Sequence, residues 1–231
     1  MSARILPLFL EGPDTERRRY DAAIEQAVIA GWTGRDSAAV EKHIAELAVL
    51  GVKRPATTPI FYRVAAARLS CEDTIEVLGE ASSGEVEFVL LQFEGRLWVG
   101  AGSDHTDREV EAYGVSVSKQ MCEKPVAPLF WCYDAVAPHW DKLVLRSYAT
   151  IAGQRVLYQE GSVAAMRHPA DLIARYEKDG RWSDGTMMFC GTLAVHGGVR
   201  PAERFEFELE DPVRERKIRH GYSIISLPNL G

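Results

Sequence analysis

From Pro55 onward the sequence is built of short runs in which apolar and polar side chains alternate, and many runs end at Gly, Pro or Asp. This period of two is typical of β-strands, whose successive side chains point to opposite faces. Nine strands are predicted on this basis: Phe61–Val64, Thr74–Leu78, Glu85–Gln92, Leu97–Ala101, Leu143–Ala149, Val156–Gln159, Met187–Thr192, Phe205–Leu209 and Ile218–Ser226. A chain with this many short strands and turn residues is not expected to form a helical bundle.

An opening strand at Ile5–Leu10 and three helices complete the predicted elements. The helices are expected at Ala22–Ala30, Ala38–Leu50 and Pro169–Tyr176. The second is the best defined, because Asp36 or Ser37 can accept the free N–H groups at its start and Gly51 can end it. These elements indicate the α+β class, with a mixed β-sandwich or β-roll and a few peripheral helices.

The length of 231 residues, 46% of them hydrophobic, is sufficient for one complete core. We therefore expect a single domain over residues 1–231. In this interpretation residues 1–54 supply an N-terminal strand and lid helices, and residues 55–231 form the β-rich catalytic body.

The charge and the cysteines restrict the class of partner. A net charge of −6 and a pI near 5.6 argue against a nucleic-acid partner, because phosphate binding depends on Lys and Arg. The four cysteines are far apart and are expected to be reduced thiols. No apolar stretch has the length of a signal peptide or a membrane span. The sequence therefore favours a cytoplasmic protein that acts on a small molecule.

Two glutamates open one of the predicted strands. Glu85 and Glu87 are two positions apart, so their side chains share one strand face at a spacing of about 7 Å. Asp104 follows the next strand, which is expected to form a hairpin with the first across Glu94-Gly95. Carboxylates are the ligands that Mg²⁺, Mn²⁺ and Ca²⁺ prefer. The alternative interpretation is a solvated strand face that carries two glutamates without a metal.

A second candidate group lies on the helix Ala38–Leu50. His43 and Glu46 are three positions apart there and share one helix surface. A carboxylate can orient an imidazole and raise its basicity, which a general base requires near neutral pH. The alternative is that His43 only packs in the core, since it falls within the apolar arc of its helix.

The order of these motifs resembles the fumarylacetoacetate hydrolase superfamily from Gly34 to Leu227. The matching blocks are Gly34-Arg35 with His43-x-x-Glu46, Gly84-Glu85-Val86-Glu87, Ser103-Asp104-His105-Thr106-Asp107-Arg108, Lys119-Gln120, Gln154 to Gly161, and Gly191-Thr192-Leu193. His43 lies farther from Gly34 than in the family, and the block around Asp104 is shorter. The pattern is therefore closest to an uncharacterised branch of the superfamily.

The resemblance implies the fold of the superfamily's C-terminal domain, a homodimer and a divalent cation, Mg²⁺ or else Mn²⁺ or Ca²⁺. The implied metal ligands are Glu85, Glu87 and Asp104. The implied catalytic residues are His43, Glu46 and Lys119, and the implied substrate-binding residues are Arg35, Gln120 and Thr192.

The implied reaction is the hydrolysis of a carbon–carbon bond in a small oxo-acid or 1,3-dicarbonyl compound. A cation at the same site can instead support decarboxylation or tautomerisation of an oxo-acid. A protein that binds a metal or ligand without turnover is the third possibility.

Overall fold

The computed structural model describes residues 3–49 and 54–230, and within them the side chains of all residues except 43 and 46–49. None of the helices in these ranges is long and apolar enough to cross a membrane. The four cysteines, all of which lie in the described ranges, are free thiols.

Strands form most of the regular structure in the described ranges. They are β1 (Arg4–Glu11), β2 (Arg17–Ile24), β3 (Gln26–Gly31), β4 (Ile60–Val64), β5 (Leu69–Ser70), β6 (Thr74–Leu78), β7 (Ser82–Ser83), β8 (Val86–Phe93), β9 (Arg96–Ser103), β10 (Thr106–Asp107), β11 (Lys124–Pro125), β12 (Leu129–Cys132), β13 (Val144–Ile151), β14 (Gln154–Ser162), β15 (Thr186–Thr192), β16 (Arg204–Asp211) and β17 (Arg216–Leu227). The α-helices are α1 (Ser37–Val49), α2 (Arg108–Tyr113), α3 (Val115–Met121) and α4 (Pro169–Tyr176), and short 3₁₀ helices lie at Ala66–Arg68, Tyr133–Ala135, Ala137–Lys142 and Val163–Ala165.

Two large sheets organise these strands. The first has eight strands in the order β2-β1-β12-β9-β8-β15-β3-β4, and the second has five in the order β14-β13-β16-β17-β6. One buried cluster contains Phe88 and Val99 of the first sheet together with Leu145 and Phe207 of the second, so the sheets pack face to face. The chain therefore has a β-rich α+β fold, as predicted.

The central strands of the eight-stranded sheet are buried on both faces. Phe88 and Leu90 belong to the cluster between the sheets, whereas Val89 and Leu91 belong to a second cluster with residues of β1, β2 and β3. Successive side chains of a strand alternate between faces, so β8 contributes to both cores. This double burial explains why β8 is almost continuously apolar, and it requires the sheet to curl around the second cluster.

All ten predicted strands are present, and two of the three predicted helices are present. Helix α1 begins where the capping signal predicted, because Asp36 Oδ1 accepts hydrogen bonds from the backbone N–H groups of Ala38 (2.9 Å) and Ala39 (3.1 Å). The predicted stop at Gly51 lies outside the described residues. Helix α4 has the predicted bounds, Pro169–Tyr176.

The predicted helix at Ala22–Ala30 is wrong. Apart from Glu25, its residues belong to two strands: β2 pairs with β1, and β3 pairs with β15 and β4. Alanines favoured the helix prediction, but Ala27 to Ala30 are buried on both faces of a central strand, where Val28 and Ile29 are suited to the pleated surface. Tertiary pairing therefore overrides local helix propensity in this segment.

Strands β8 and β9 form the predicted hairpin. They pair in register from Val86 with Ser103 to Phe93 with Arg96. Glu94 and Gly95 make the two-residue turn with φ values of 53° and 66°, the left-handed pair that matches the twist of a hairpin. The closed turn fixes the opposite, open end of the hairpin, where the candidate metal ligands lie.

Replacing Phe88 with Ala tests the core between the sheets. Phe88 is fully buried and packs edge-on against Trp140 with ring centroids 5.1 Å apart. We expect the free energy of unfolding to fall by about 3–5 kcal/mol, because the cavity cannot collapse between two sheets. Urea denaturation measures this loss. The control Tyr113→Ala, at a side chain that is 87% exposed, should change stability by less than about 0.5 kcal/mol.

Candidate metal centre

The three predicted metal ligands meet at the open end of the β8–β9 hairpin. Glu87 is in β8, while Glu85 and Asp104 are the residues that flank the paired strands, and the backbone N–H of Asp104 donates to the Glu85 carbonyl at 3.0 Å. One ligand atom from each carboxylate lies within 4.8 Å of the others. Strand pairing alone therefore brings the third carboxylate to the first two.

These carboxylates are buried, so the solvated strand face considered as the alternative is not what the structure shows. Glu87 is 3% exposed and Asp104 is fully buried. The side chain of Glu85 keeps 17% of its surface exposed and forms the outer edge of the cluster. Buried carboxylates need compensating charge, because water no longer stabilises them.

The carboxylates perturb one another's ionisation. Burial raises the pKa of Glu87 well above its usual range, and the negative charge of Asp104 raises it further. Burial also raises the pKa of Glu85, although Arg108 opposes that shift. For Asp104 burial acts in the same direction, but the ammonium groups of Lys119 and Lys124 lower its pKa below the ordinary value. The cluster therefore combines one firmly ionised acid with two acids that resist ionisation.

Three cations surround the cluster. The ammonium of Lys119 donates a hydrogen bond to Asp104 Oδ2, and the ammonium of Lys124 lies 3.3 Å from Asp104 Oδ1. Arg108 forms an ion pair with Glu85 Oε1 at 3.1 Å. Each carboxylate that carries an ion pair is therefore held by a side chain from the segment that follows β9.

The residues present fit a divalent cation. A set of three carboxylates is the donor chemistry of a hard cation, which would relieve the repulsion that raises the Glu85 and Glu87 pKa values. Asp104 Oδ1 is buried and accepts no hydrogen bond from the described residues, although Lys124 lies 3.3 Å away, so hydrogen bonds alone do not compensate the charge of the cluster. The site can hold Mg²⁺, Mn²⁺ or Ca²⁺ by its donor atoms.

Strand β15 holds Glu87 from the side opposite β9. The backbone N–H of Gly191 donates to Glu87 Oε2 at 2.6 Å. Gly191 has a φ of 95°, and a β-carbon there would lie 1.7 Å from the Thr33 hydroxyl oxygen, so only glycine fits. This close approach lets the strand bend toward the carboxylate.

Thr192 lies next to the cluster, in register with Glu87. Its hydroxyl donates to the Val86 carbonyl at 2.7 Å and accepts from Gln159 Nε2 at 2.8 Å. Because a hydroxyl has one proton, this arrangement leaves none to donate to a substrate oxygen. The role of Thr192 in substrate binding stays a prediction, and the contacts observed are structural.

Gln159 links the second sheet to β8, the strand that carries Glu87. Its side-chain oxygen accepts from the Val86 N–H at 3.0 Å and from the Ser147 hydroxyl at 2.9 Å, and its amide also donates to the Leu193 carbonyl at 2.7 Å. Because this amide is fully buried and its hydrogen-bonding groups are satisfied, Gln159 holds the two sheets in a fixed relative position here.

The residue after Asp104 belongs to another buried network. His105 contacts the Tyr222 hydroxyl through Nδ1 and the Ser82 hydroxyl through Nε2, both at 2.9 Å. Burial lowers the pKa of His105 to about 3, so the imidazole is neutral at physiological pH. Tyr222 also contacts Ser103, which accepts from the Glu85 N–H. This network supports the backbone of two candidate metal ligands.

The other predicted site residues lie in different places. Arg35 forms a two-point ion pair with Asp141 at 2.8 and 2.9 Å, and its described contacts do not reach the carboxylates. Gln120 accepts a hydrogen bond from the Ala65 N–H at 2.9 Å, next in sequence to Lys119. The side chains of His43 and Glu46 lie outside the described residues, although both positions are within helix α1.

Sequence reasoning missed three residues beside the cluster. Lys124 and Gln159 were not proposed for any role, and neither was Tyr62, whose ring centroid is 6.0 Å from the Lys119 ammonium. A lysine directly before the apolar segment Pro125–Cys132 was a weak signal for a buried charge. No sequence signal distinguishes Tyr62 from an ordinary strand residue.

The comparisons with known proteins agree with this fold. The model of a family described as protein of unknown function DUF2848 matches residues 30–222. No curated protein matches the sequence. Among solved structures, that of Cg1458 is similar with a TM-score of 0.66 and 14% identity, over 91% of this chain and 80% of that one.

Two further similar structures carry bound cations. One is 2-keto-3-deoxy-D-arabinonate dehydratase complexed with magnesium and 2,5-dioxopentanoate, with a TM-score of 0.63, 16% identity, and 92% of this chain and 77% of that one covered. The other is 4-oxalocrotonate decarboxylase from Pseudomonas putida G7, complexed with calcium and acetate, with a TM-score of 0.54, 16% identity, and coverage of 86% and 77%. The resemblance to the fumarylacetoacetate hydrolase superfamily is confirmed at the level of the fold.

Because the pKa of Glu87 is raised, replacing Glu87 with Gln should increase the free energy of unfolding at high pH, when a chelator keeps the protein free of metal. A raised folded-state pKa contributes stability below the unfolded value of about 4.3, and that stability is lost as pH rises. The free energy of unfolding of the variant should therefore equal that of the parent near pH 4. At pH 8 it should be higher than that of the parent by on the order of 1 kcal/mol or more.

Urea unfolding at the two pH values measures the difference. The control Glu210→Gln should show the opposite change in the free energy of unfolding, because Arg146 holds the pKa of Glu210 below its usual range. Removing that carboxylate should destabilise the protein at pH 8. A parent that is as stable as the Glu87 variant at pH 8 would contradict the assignment of Glu87 as a strained buried acid.

Proposed function

Because this chain belongs to the family described as protein of unknown function DUF2848 and gathers three carboxylates in one buried cluster, we propose that it is a divalent-metal-dependent enzyme acting on small oxo-acids. The observation that carries the proposal is the cluster of Glu85, Glu87 and Asp104. Structural similarity to an enzyme complexed with magnesium and a dioxo-acid supports the same assignment.

The preferred reaction is hydrolysis of a carbon–carbon bond next to a carbonyl group. A bound cation would supply Lewis-acid chemistry, by polarising substrate oxygens. Lys119 is suited to stabilise negative charge that develops on the substrate, because its ammonium already lies at the cluster. Burial would lower the pKa of Lys119, but Asp104 and Glu85 raise it, so the group stays charged at neutral pH. It therefore acts as a cation rather than as a base.

The general base in this proposal is His43, oriented by Glu46. Both residues are on helix α1, and the chain reaches that helix through Thr33 and Gly34. Thr33 contacts Gly191, whose backbone N–H donates to Glu87. The helix therefore begins only a few residues after a residue that lies near the carboxylate cluster. His43 would remove a proton from water, and Glu46 would stabilise the imidazolium that forms.

The second candidate is a lyase reaction without hydrolysis. Two structurally similar proteins are a decarboxylase and a dehydratase, which favours bond cleavage that needs no attacking water. In that case Lys119 and the metal ligands suffice, and His43 is not required for the bond cleavage. Product analysis separates the reactions, because hydrolysis incorporates oxygen from ¹⁸O-labelled water into a carboxylate, whereas decarboxylation releases carbon dioxide.

A binding protein without turnover is the third candidate. A screen of small oxo-acids with the Mg²⁺- and Mn²⁺-loaded protein separates it from both enzymes. The proposed homodimer and the cytoplasmic location follow from the resemblance and from the composition, and size-exclusion chromatography tests the first.

Replacing Glu87 with Gln should abolish divalent-cation binding. The amide keeps the shape of the side chain and can still accept the Gly191 N–H, but it is a far poorer ligand for a hard cation. Calorimetry with Mg²⁺ and Mn²⁺ measures the loss, which should be at least about 100-fold in affinity. Turnover of any accepted oxo-acid should disappear in parallel. Unchanged affinity would place the site elsewhere.

Replacing His43 and Glu46 tests the acid–base pair. Residues that act as one unit give non-additive losses, so the double variant His43→Ala with Glu46→Gln should be little worse than His43→Ala alone. Metal affinity should change by less than about twofold, because neither side chain is a proposed ligand. Steady-state kinetics and calorimetry provide both measurements. Full activity in a stable His43→Ala protein would favour the lyase reaction.

A further inference from the structure

Lys124 is a wholly buried lysine whose ammonium lies at the proposed metal centre. The ammonium donates hydrogen bonds to the carbonyls of His105 at 2.6 Å and Cys122 at 3.1 Å, and it is 3.3 Å from Asp104 Oδ1. Burying an amine of this kind is costly unless its contacts compensate. The two carbonyls and the carboxylate therefore fix the position of this side chain.

The two lysines at Asp104 differ in how firmly they are held. Lys119 is bonded to Oδ2, retains 8% of its side-chain surface, and has Asp104 as its hydrogen-bond acceptor within the described chain. Lys124 has no exposed side-chain surface and is anchored by two backbone carbonyls. A cation that approaches Oδ1 is repelled by the fixed ammonium of Lys124. A cation that approaches Oδ2 meets Lys119, whose side chain is partly exposed and can move toward solvent.

In each of the other two carboxylates a protein group also lies against one oxygen. The backbone N–H of Gly191 donates to Glu87 Oε2, and the guanidinium of Arg108 forms an ion pair with Glu85 Oε1 at 3.1 Å. If Lys124 keeps its place at Asp104 Oδ1 and a cation displaces Lys119 from Oδ2, the set would present one oxygen from each carboxylate. Such a set suits a small cation with six ligands, several of them waters, better than Ca²⁺, which takes six to eight ligands and often binds a carboxylate through both oxygens.

We propose that Lys124 is a positioning residue that restricts Asp104 to coordination through one oxygen and thereby biases the site toward Mg²⁺ or Mn²⁺ over Ca²⁺. This inference rests on the proposed metal-dependent function and identifies what sets the choice of cation. Without Lys124, Asp104 can offer both oxygens, and Ca²⁺ gains more from the second oxygen than Mg²⁺ does.

The test compares Lys124→Met with the matched variant Lys119→Met. Each substitution removes one positive charge from beside Asp104, but from opposite oxygens. A general electrostatic gain in cation affinity should therefore appear in both variants. Calorimetric titration with Mg²⁺ and with Ca²⁺ gives the ratio of the two dissociation constants for each protein.

We expect the preference for Mg²⁺ over Ca²⁺ to fall by at least about fivefold in Lys124→Met and to change by less than about twofold in Lys119→Met. A purely structural role would lower the melting temperature of Lys124→Met and leave the ratio unchanged, which overturns the proposal. An equal change of the ratio in both variants also overturns it.

A second measurement uses the unaltered protein and so does not depend on the folding of a variant. In a crystal structure with bound Ca²⁺, Asp104 should coordinate through one oxygen while Lys124 stays in contact with the other. Coordination through both oxygens overturns the inference but leaves the metal-dependent function intact. Failure of the parent protein to bind either cation defeats both.

Discussion

The constraint on which this structure depends is the burial of three carboxylates at one end of a β-hairpin. Mutual repulsion and the loss of hydration make that burial unfavourable. Three cationic side chains of the neighbouring segment offset part of this electrostatic free energy. The hairpin, the two helices after it and the strand β11 thus form one electrostatic unit over residues 85–124. The surrounding strands bury Glu87 and Asp104 in low-polarity surroundings, where charge interactions are strong.

The second sheet contributes hydrogen-bonding side chains to the candidate site and none of its three carboxylates. Gln159 ties β14 to the backbone beside Glu87, and Tyr222 ties β17 to the residues on either side of Asp104. These hydrogen bonds lie between sheets that apolar contacts and an ion pair of Arg216 with Glu11 also hold together. The packing of the sandwich therefore controls the orientation of the carboxylates as well as the stability of the fold.

The sequence was sufficient for the parts of the molecule that have a clear period. Alternating strands predicted the sheets, and the spacing of Glu85 and Glu87 with the hairpin signal at Gly95 predicted the carboxylate cluster, because both depend on local geometry. The segment Ala22–Ala30 was misread because most of it belongs to β3, whose pairing partners β4 and β15 are distant in the chain. Helices α2 and α3 were missed because each is short and lacks a clear apolar face.

The finer parts of the site could not be predicted because they depend on where side chains point in three dimensions. Lys124 precedes an apolar run, and nothing in its local sequence says that it turns inward to Asp104. Thr192 matches a family motif, but its single proton is committed to the Val86 carbonyl. Arg35 likewise matches, and its guanidinium is engaged by Asp141.

The continuity of the charged unit also has a consequence for the order of folding. Contacts between residues close in the chain require less loop-closure entropy than the pairing of β1 with β12 or of β3 with β15. The hairpin and its flanking cations can therefore associate before the large sheets are complete. At that stage water still reaches the carboxylates, so the full electrostatic penalty arises only when the second sheet closes over them. The final docking of the sheets is then the step at which a bound divalent ion has its greatest effect.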